Sequence, residues 1–247
     1  MERALADYVT QCNAMCIIAE FYSFHPFNDF LSIKGSFFTF HDENRKTVSV
    51  SLRNSEDSRW QKYSSKIRNA LKKSDLILNF EQSTDVSLFI KLYYETMKAA
   101  KASEFYFFSE SYFKELLSMP NVRLFTVYNG NVPVSMAFFI EWENHVDYHL
   151  SANNQELKEL GGNLFLLHKA ANYYGSLSFD HLMLGGGTSR NIDDSLLRFK
   201  TKLSKELIPY IIAGKVFNEK VYNEYKTIYL ETSNIGKLNN KFLFYRF

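Results

Sequence analysis

The sequence predicts an α+β protein built on a mixed, largely antiparallel sheet flanked by helices, and three observations carry that expectation. From residue 76 onward the patterning runs strand, helix, helix, three meandering strands, helix, strand, helix, strand, an order of segregated elements rather than strict alternation. Asn129-Gly130 sits between two apolar runs, a strong short-range hairpin signal. Only 4 Pro and 10 Gly among 247 residues favour regular elements over long loops, and a 46% hydrophobic share excludes a disordered chain.

Taken in order, residues 2–13 read as a short helix and 16–21 (CIIAEF) as a strand. A turn follows at 24–30, punctuated by Pro26. SFFTF (36–40) and TVSVSL (47–52) alternate or β-branch, so both are strand candidates, with Asn44 and Arg45 in the turn of a hairpin. Residues 54–74 read as one helix: Ser55 caps it, acids open it and lysines close it. Trp60, Tyr63, Ile67 and Leu71 give that helix one apolar face. A strand is expected at 76–82. Thr84 is placed to cap a helix through Lys101, and Ser109 one to Met119. Strands at 122–130, 133–143 and 145–152 form the meander. A helix over 163–174, a strand at 181–184, a helix over 193–204, a strand at 207–215 and a helix from Asn218 to Leu230 complete the chain.

Composition narrows the chemistry. The net charge of +2 is too small to imply nucleic acid by itself. Cys12 and Cys16 share a helical face, but two thiols without a nearby histidine cannot complete a tetrahedral zinc site. His145, Asp147 and His149 alternate along one strand, yet they span ~13 Å end to end, too far for one ion. No metal is therefore expected. One of the three is a candidate base, His149 foremost, while Tyr148 points to the other face, with a hydroxyl able to reach a thioester or leaving group. No signal-peptide pattern and no apolar run of ~20 residues is present, so a cytoplasmic protein is expected.

The stretch HLMLGGGTSRNIDDSLLRFKTKLS (181–204) carries more. Gly185, Gly186 and Gly187 follow a strand, but the Gly-Lys-Ser/Thr of a nucleotide P-loop is missing. The triplet allows a tight turn or close approach to a ligand. Asp193 and Asp194 open the next helix, where acids interact favourably with the dipole. Lys200 lies seven positions on, on the face of that helix start. Lys66, Arg68, Lys72 and Lys73 form a basic run on the helix over 54–74: either a solvated face or a diphosphate clamp, with Arg68 as bidentate donor.

This stretch resembles the signature of the FemAB-like branch of the GNAT acyltransferase superfamily, a glycine triplet followed by D-x-L-x-x-F-K. EFYSFHPFN (20–28), KTVSVSL (46–52) before KIRNALKKS (66–74), DYHLSA (147–152) and YIIAGKVFNEKVY (210–222) agree in order. The resemblance implies two GNAT-like lobes. A shortened N-terminal lobe would comprise residues 1–75 with 216–247, and the acyltransferase domain residues 76–215. The signature's last aromatic is replaced by Leu203.

The resemblance further implies transfer of an acyl group, acetyl foremost, to an amine of a nucleotide- or lipid-linked amino sugar or a muropeptide precursor. It places Lys200 near the transferred carbonyl, where a cation stabilises an oxyanion. Asp194 would hold Lys200 or take a proton from the incoming ammonium, and Gly185–Gly187 would shape the cleft. His25 would touch the acceptor. Gly161, Gly162 and Asn163 precede a helix whose N–H groups would receive the pyrophosphate of acetyl-CoA or another acyl donor, although the Arg/Gln-x-x-Gly-x-Gly/Ala form is absent. An aminoacyl-tRNA donor is the alternative within this chemistry, kept open by the basic helix. A non-catalytic protein binding a glycan precursor or partner enzyme is the alternative outside it.

Overall fold

The structure is a computed structural model, and it describes residues 2–28, 35–232 and 242–244. The chain divides into two compact units, residues 1–46 with 209–247, and residues 47–208.

In the first unit, α1 (Glu2–Ala14) leads to β1 (Ala19–Ser23), which pairs antiparallel with β8 (Glu206–Val216), from Ala19 opposite Val216 to Ser23 opposite Ile212. Helix α8 (Glu219–Thr232) follows. The strand starts later than the sequence suggests because Cys16 takes a left-handed conformation, φ 56°. Tyr8 and Tyr22 both donate to the Glu20 carboxylate, at 2.6 and 2.5 Å. Of the expected 24–30 turn, Asn28 N–H closes onto His25 C=O at 2.8 Å, and residues 29 and 30 lie outside the described residues.

The expected hairpin over 36–52 does not form. Gly35–Phe37 is a single 3₁₀ turn, and β2 is one strand from Phe40 to Ser51. Asn44 and Arg45 lie inside it. The polar run His41–Lys46 contains no Gly or Pro, so nothing forces a reversal. Polarity there marks a strand half that is exposed to half-buried, whereas Thr47–Val50 is buried.

The second unit holds the last residues of β2 with β3 (Asn79–Ser83), β4 (Val122–Asn129), β5 (Val132–Trp142), β6 (His145–Asn153) and β7 (His181–Gly186), in the spatial order β2-β7-β6-β5-β4-β3. Every pair recorded is antiparallel except β6 with β7. Alternation along β4 and β5 separates two cores. Phe125, Val127 and Phe139 join Leu166, Leu167 and Tyr174 of α6 (Gly162–Ser176) on one face. Leu124, Met136 and Phe138 join Phe89 and Tyr93 of α4 (Val86–Ala99) and Phe113 of α5 (Glu110–Ser118) on the other. Asn129-Gly130 makes the hairpin, with Gly130 at φ 58°.

Residues 54–74 form two helices rather than one, α2 (Glu56–Lys62) and α3 (Ser65–Asp75). Tyr63 is extended between them, ψ 144°, and Ser64 caps the second by accepting from Ile67 N–H. Two successive serines favour a cap over helix interior. The apolar stripe survives the break: Tyr63, Ile67 and Leu71 are buried and Trp60 packs on them. Asp85, not Thr84, caps α4, its carboxylate accepting from Leu88 N–H at 2.9 Å. Ser109 caps α5 as expected. The helix expected over 193–204 shrinks to α7 (Ser195–Lys200), with Asp194 as its N-cap and Asp193 before it.

Candidate functional site

Strands β6 and β7 run parallel for only three residue pairs, His145–His181, Val146–Leu182 and Asp147–Met183. Beyond them β6 continues beside β5 and β7 beside β2, so the two inner edges part into a wedge. Backbone amides on such edges offer hydrogen bonds to an extended ligand. The register of β5 against β6 slips between Ala137 and Phe139. Val146 and Tyr148 therefore pack on the α6 face, whereas Leu150 and Ala152 pack on the α4–α5 face. A strand bulge re-aims side chains in this way.

His149 sits at that bulge. Its Nε2 lies 2.8 Å from the hydroxyl of Tyr112 on α5. Desolvation lowers the imidazole pKa, with Asp147 pulling the other way. Tyr112 stacks on Phe108, ring centroids 4.7 Å apart. Phe108 closes a 3₁₀ turn segment, Glu104–Tyr106 and onward, in which Phe105 is 77% exposed and Tyr106 48%. On the opposite face Tyr148 donates to Asn163 Oδ1 at 3.1 Å, tying β6 to the start of α6, and burial raises its pKa.

The other side of the wedge is the β7 end. Lys200 is 7% exposed, and its Nζ donates to Gly186 C=O at 2.7 Å. Gly185 is at φ 75°, and a Cβ there would lie 3.4 Å from Nζ. Gly187 packs against the Asp194 carboxylate. Asp194 accepts from Thr188 N–H and Oγ1, Ser189 N–H and Oγ, and the N–H groups of Leu196 and Leu197. Those donors hold its pKa far below the ordinary carboxylate range. A carboxylate so saturated organises the loop and is a poor acceptor for a proton from ammonium, which corrects the base role expected for Asp194.

At the start of α6, Gly161 is left-handed, φ 69°, and Gly162 lies so close to β5 that a Cβ would meet Val134 Cγ1 at 2.5 Å. Gly161, Gly162 and Asn163 line a cavity of about 380 Å³ with Lys158, Phe199 and Lys202. The ammonium of Lys202 lies 5.3 Å over the Phe199 ring. First-turn N–H groups of a helix lack intrahelical partners, so the cavity combines free donors with two cations.

The clamp expected of Lys66, Arg68 and Lys72 does not assemble. Arg68 turns back onto the end of α2 and donates to the Tyr63 and Gln61 carbonyls. Lys72 lines a cavity of about 340 Å³ with Glu56, Asp75 and His168, whereas Lys66 lines a different one. All three lie on α3, whose helical period puts Lys66 on the side opposite Arg68 and Lys72. His25 belongs to the first unit, where its Nδ1 accepts from Phe27 N–H at 3.3 Å. Among the described residues no three His, Cys, Asp or Glu side chains form a metal-binding group, and no helix is long and apolar enough to cross a membrane.

Sequence reasoning missed Tyr112, Lys158, Lys202 and the aromatic turn. The run Phe105-Tyr-Phe-Phe108, placed between two helix patterns with no apolar periodicity, was the available signal. Nothing in the local sequence marked Lys158 or Lys202.

The family model for the acetyltransferase (GNAT) domain matches residues 58–200. No curated protein matches the chain in sequence. Among solved structures, FemX superposes with a TM-score of 0.63 at 12% identity, over 88% of this chain and 70% of that one. L-PGS from Bacillus licheniformis gives 0.58 at 12% identity, over 85% and 72%. At such identities these likenesses concern the fold.

Proposed function

The chain belongs to the GNAT acetyltransferase family, with the fold of its FemAB-like branch, and from that premise we propose that it moves an acyl group from coenzyme A to an amine. The amine belongs to a nucleotide- or lipid-linked sugar or a cell-wall precursor, and the acyl group is acetyl. The parting of β6 and β7 beside His149 and the α6 cavity is the observation that carries this reading.

The donor's diphosphate lies on the α6 N–H groups between Lys158 and Lys202, and its amide-bearing arm runs along the free edge of β6. The thioester carbonyl then sits in the wedge. The acceptor approaches from the aromatic turn, where Phe105 and Tyr106 offer faces for a sugar ring. The amine must be neutral to attack, and the attack leaves a proton to remove. His149, kept neutral by its lowered pKa and hydrogen-bonded to Tyr112, takes that proton. Lys200 is a positioning residue: it fixes the Gly186 carbonyl and so sets which β7 amides face the carbonyl oxygen, and its buried charge favours the oxyanion. Alignment of the two substrates supplies the remaining advantage.

Release of free coenzyme A from acetyl-CoA, measured against a panel of amino sugars and sugar nucleotides, tests the reading. Turnover with at least one amine, lowered by about 10²–10⁴ in His149→Ala, is the expected result. Activity in lysate that disappears on ribonuclease treatment would instead assign the donor as aminoacyl-tRNA. Binding of a sugar nucleotide with no turnover from either donor would assign a non-catalytic role.

A further inference from the structure

Strand β3 closes one end of the sheet and pairs with β4 alone. Its outer edge therefore carries a row of backbone N–H and C=O groups with no ladder partner among the described residues. Edge strands are ordinarily protected by a lysine, a proline, a bulge or a covering segment. β3 reads NFEQS, with neither lysine nor proline, and its register with β4 runs unbroken from Asn79–Tyr128 to Ser83–Leu124. The pairs β2–β7, β4–β5 and β5–β6 each carry a register shift. Asn79, Glu81 and Gln82 are exposed. The chain enters the strand through Leu76, 85% exposed, and Ile77, 47% exposed, two adjacent aliphatic side chains in a turn, where polar residues are usual.

An extended partner on this edge would complete the ladder, and β3 is complementary to itself. In an antiparallel pair about a twofold axis normal to the sheet, residues equally spaced before and after the axis face each other. With Phe80 on the axis, Asn79 faces Glu81 of the second copy, an amide against a carboxylate, and this contact occurs twice. Phe80 faces its own equivalent, on the side of the sheet where it stacks on Phe125 at a centroid separation of 4.7 Å. Ile77 is brought against Ser83 of the second copy, which covers part of its exposed surface. With Glu81 on the axis instead, two carboxylates would stand directly opposite each other, which is unfavourable.

We propose that β3 is a homodimer contact, in which two copies of this chain join edge to edge with Phe80 on the twofold axis. A strand of this length buries little area, so the association is weak and concentration-dependent. β4 and β5 stand between this edge and β6, so substitutions here leave His149 and the α6 cavity untouched. The contact does not rest on the acyl-transfer reading.

Sedimentation equilibrium of the whole chain at rising concentration tests it, with Tm as the control of folding. A monomer–dimer equilibrium is expected. Asn79→Lys sets an ammonium against each facing Glu81 and should tighten the dimer, and Asn79→Glu should weaken it, each by about fivefold, because a cross-strand charge pair is made twice per dimer. Glu81→Lys added to Asn79→Glu restores opposite signs and should recover the parent's Kd or better. All of these variants should keep the parent's Tm, since both positions are exposed. The proposal falls if the chain stays monomeric up to ~1 mM, or if it forms a dimer whose Kd none of these substitutions moves, which would place the contact elsewhere. A dimer tightened by Glu81→Gln and indifferent to Asn79→Lys would overturn it as well, by putting Glu81 rather than Phe80 on the axis.

Discussion

Tyr112 and His149 join α5 to β6 two residues past the last β6–β7 pair, the α5 hydroxyl lying 2.8 Å from Nε2 on β6. That bond fixes the imidazole, and desolvation lowers its pKa. Replacing His149 by Ala should lower kcat by about 10²–10⁴, the usual contribution of a positioned base. Tyr112→Phe should cost less, about tenfold, because the ring still packs on Phe108. A depressed pKa puts the acidic limb of the kcat/KM profile below 6.5, with activity falling as pH drops through it. An unchanged acidic limb in His149→Ala would show that another group takes the proton.

Lys200 is buried with its ammonium on the Gly186 carbonyl, 2.7 Å away. Lys200→Met keeps the length of the side chain but leaves that carbonyl without this donor, a loss of about 1–3 kcal/mol. A purely structural lysine would lower Tm and leave the kinetics of the surviving folded protein intact. The positioning role predicts a drop in kcat with KM for acetyl-CoA nearly constant, measured below the variant's Tm. A KM change alone would contradict it.

Much of this arrangement was legible beforehand. Ser55, Ser109 and Asn129-Gly130 announce their caps and turn because each acts within four residues. Lys200 was singled out by its place after Phe199, and the structure buries it beside the glycine turn. The break at Tyr63 was not legible, since Tyr63 continues the apolar stripe whether or not the helix does. His41–Lys46 looked like a turn because its polarity was read without weighing the absence of Gly and Pro. Lys158 and Lys202 reach the α6 cavity, and Tyr112 reaches His149, from distant segments that only folding brings together.

Asp194 accepts six hydrogen bonds from its own loop and the start of α7. Its folded pKa lies below the unfolded 3.8, so its stabilising effect is complete above that value and is lost as pH falls toward the folded one. Asp194→Asn turns one acceptor oxygen into a donor facing other donors. It should lower Tm at neutral pH and reduce the acid sensitivity of stability below pH 4, without moving the pH profile of kcat. A shifted kcat profile would restore a catalytic role to this carboxylate.

His168 on α6 offers a test of the core behind the site. It is 7% exposed, with Nδ1 3.4 Å from the Tyr63 hydroxyl and Nε2 3.5 Å from Asn172, which in turn binds Glu56 and Arg59. Burial, then the cations Lys169 and Arg59, lower its pKa from 6.5 to about 4, with Asp75 opposing. The unfolded chain therefore takes up the proton first. The stabilisation is complete above about pH 6.5 and is lost as pH falls toward 4. Between pH 7 and 5 this single group should remove about 2 kcal/mol at most, by linkage at ~1.4 kcal/mol per unit. Glu56, Asp57 and Asp75 also face this cavity, but carboxylates titrate mainly below that window. Denaturant unfolding of the parent and His168→Gln at pH 7 and 5 measures the difference. The parent should lose stability over the interval and the variant much less; equal losses would mean that the imidazole is already protonated in the fold at pH 5.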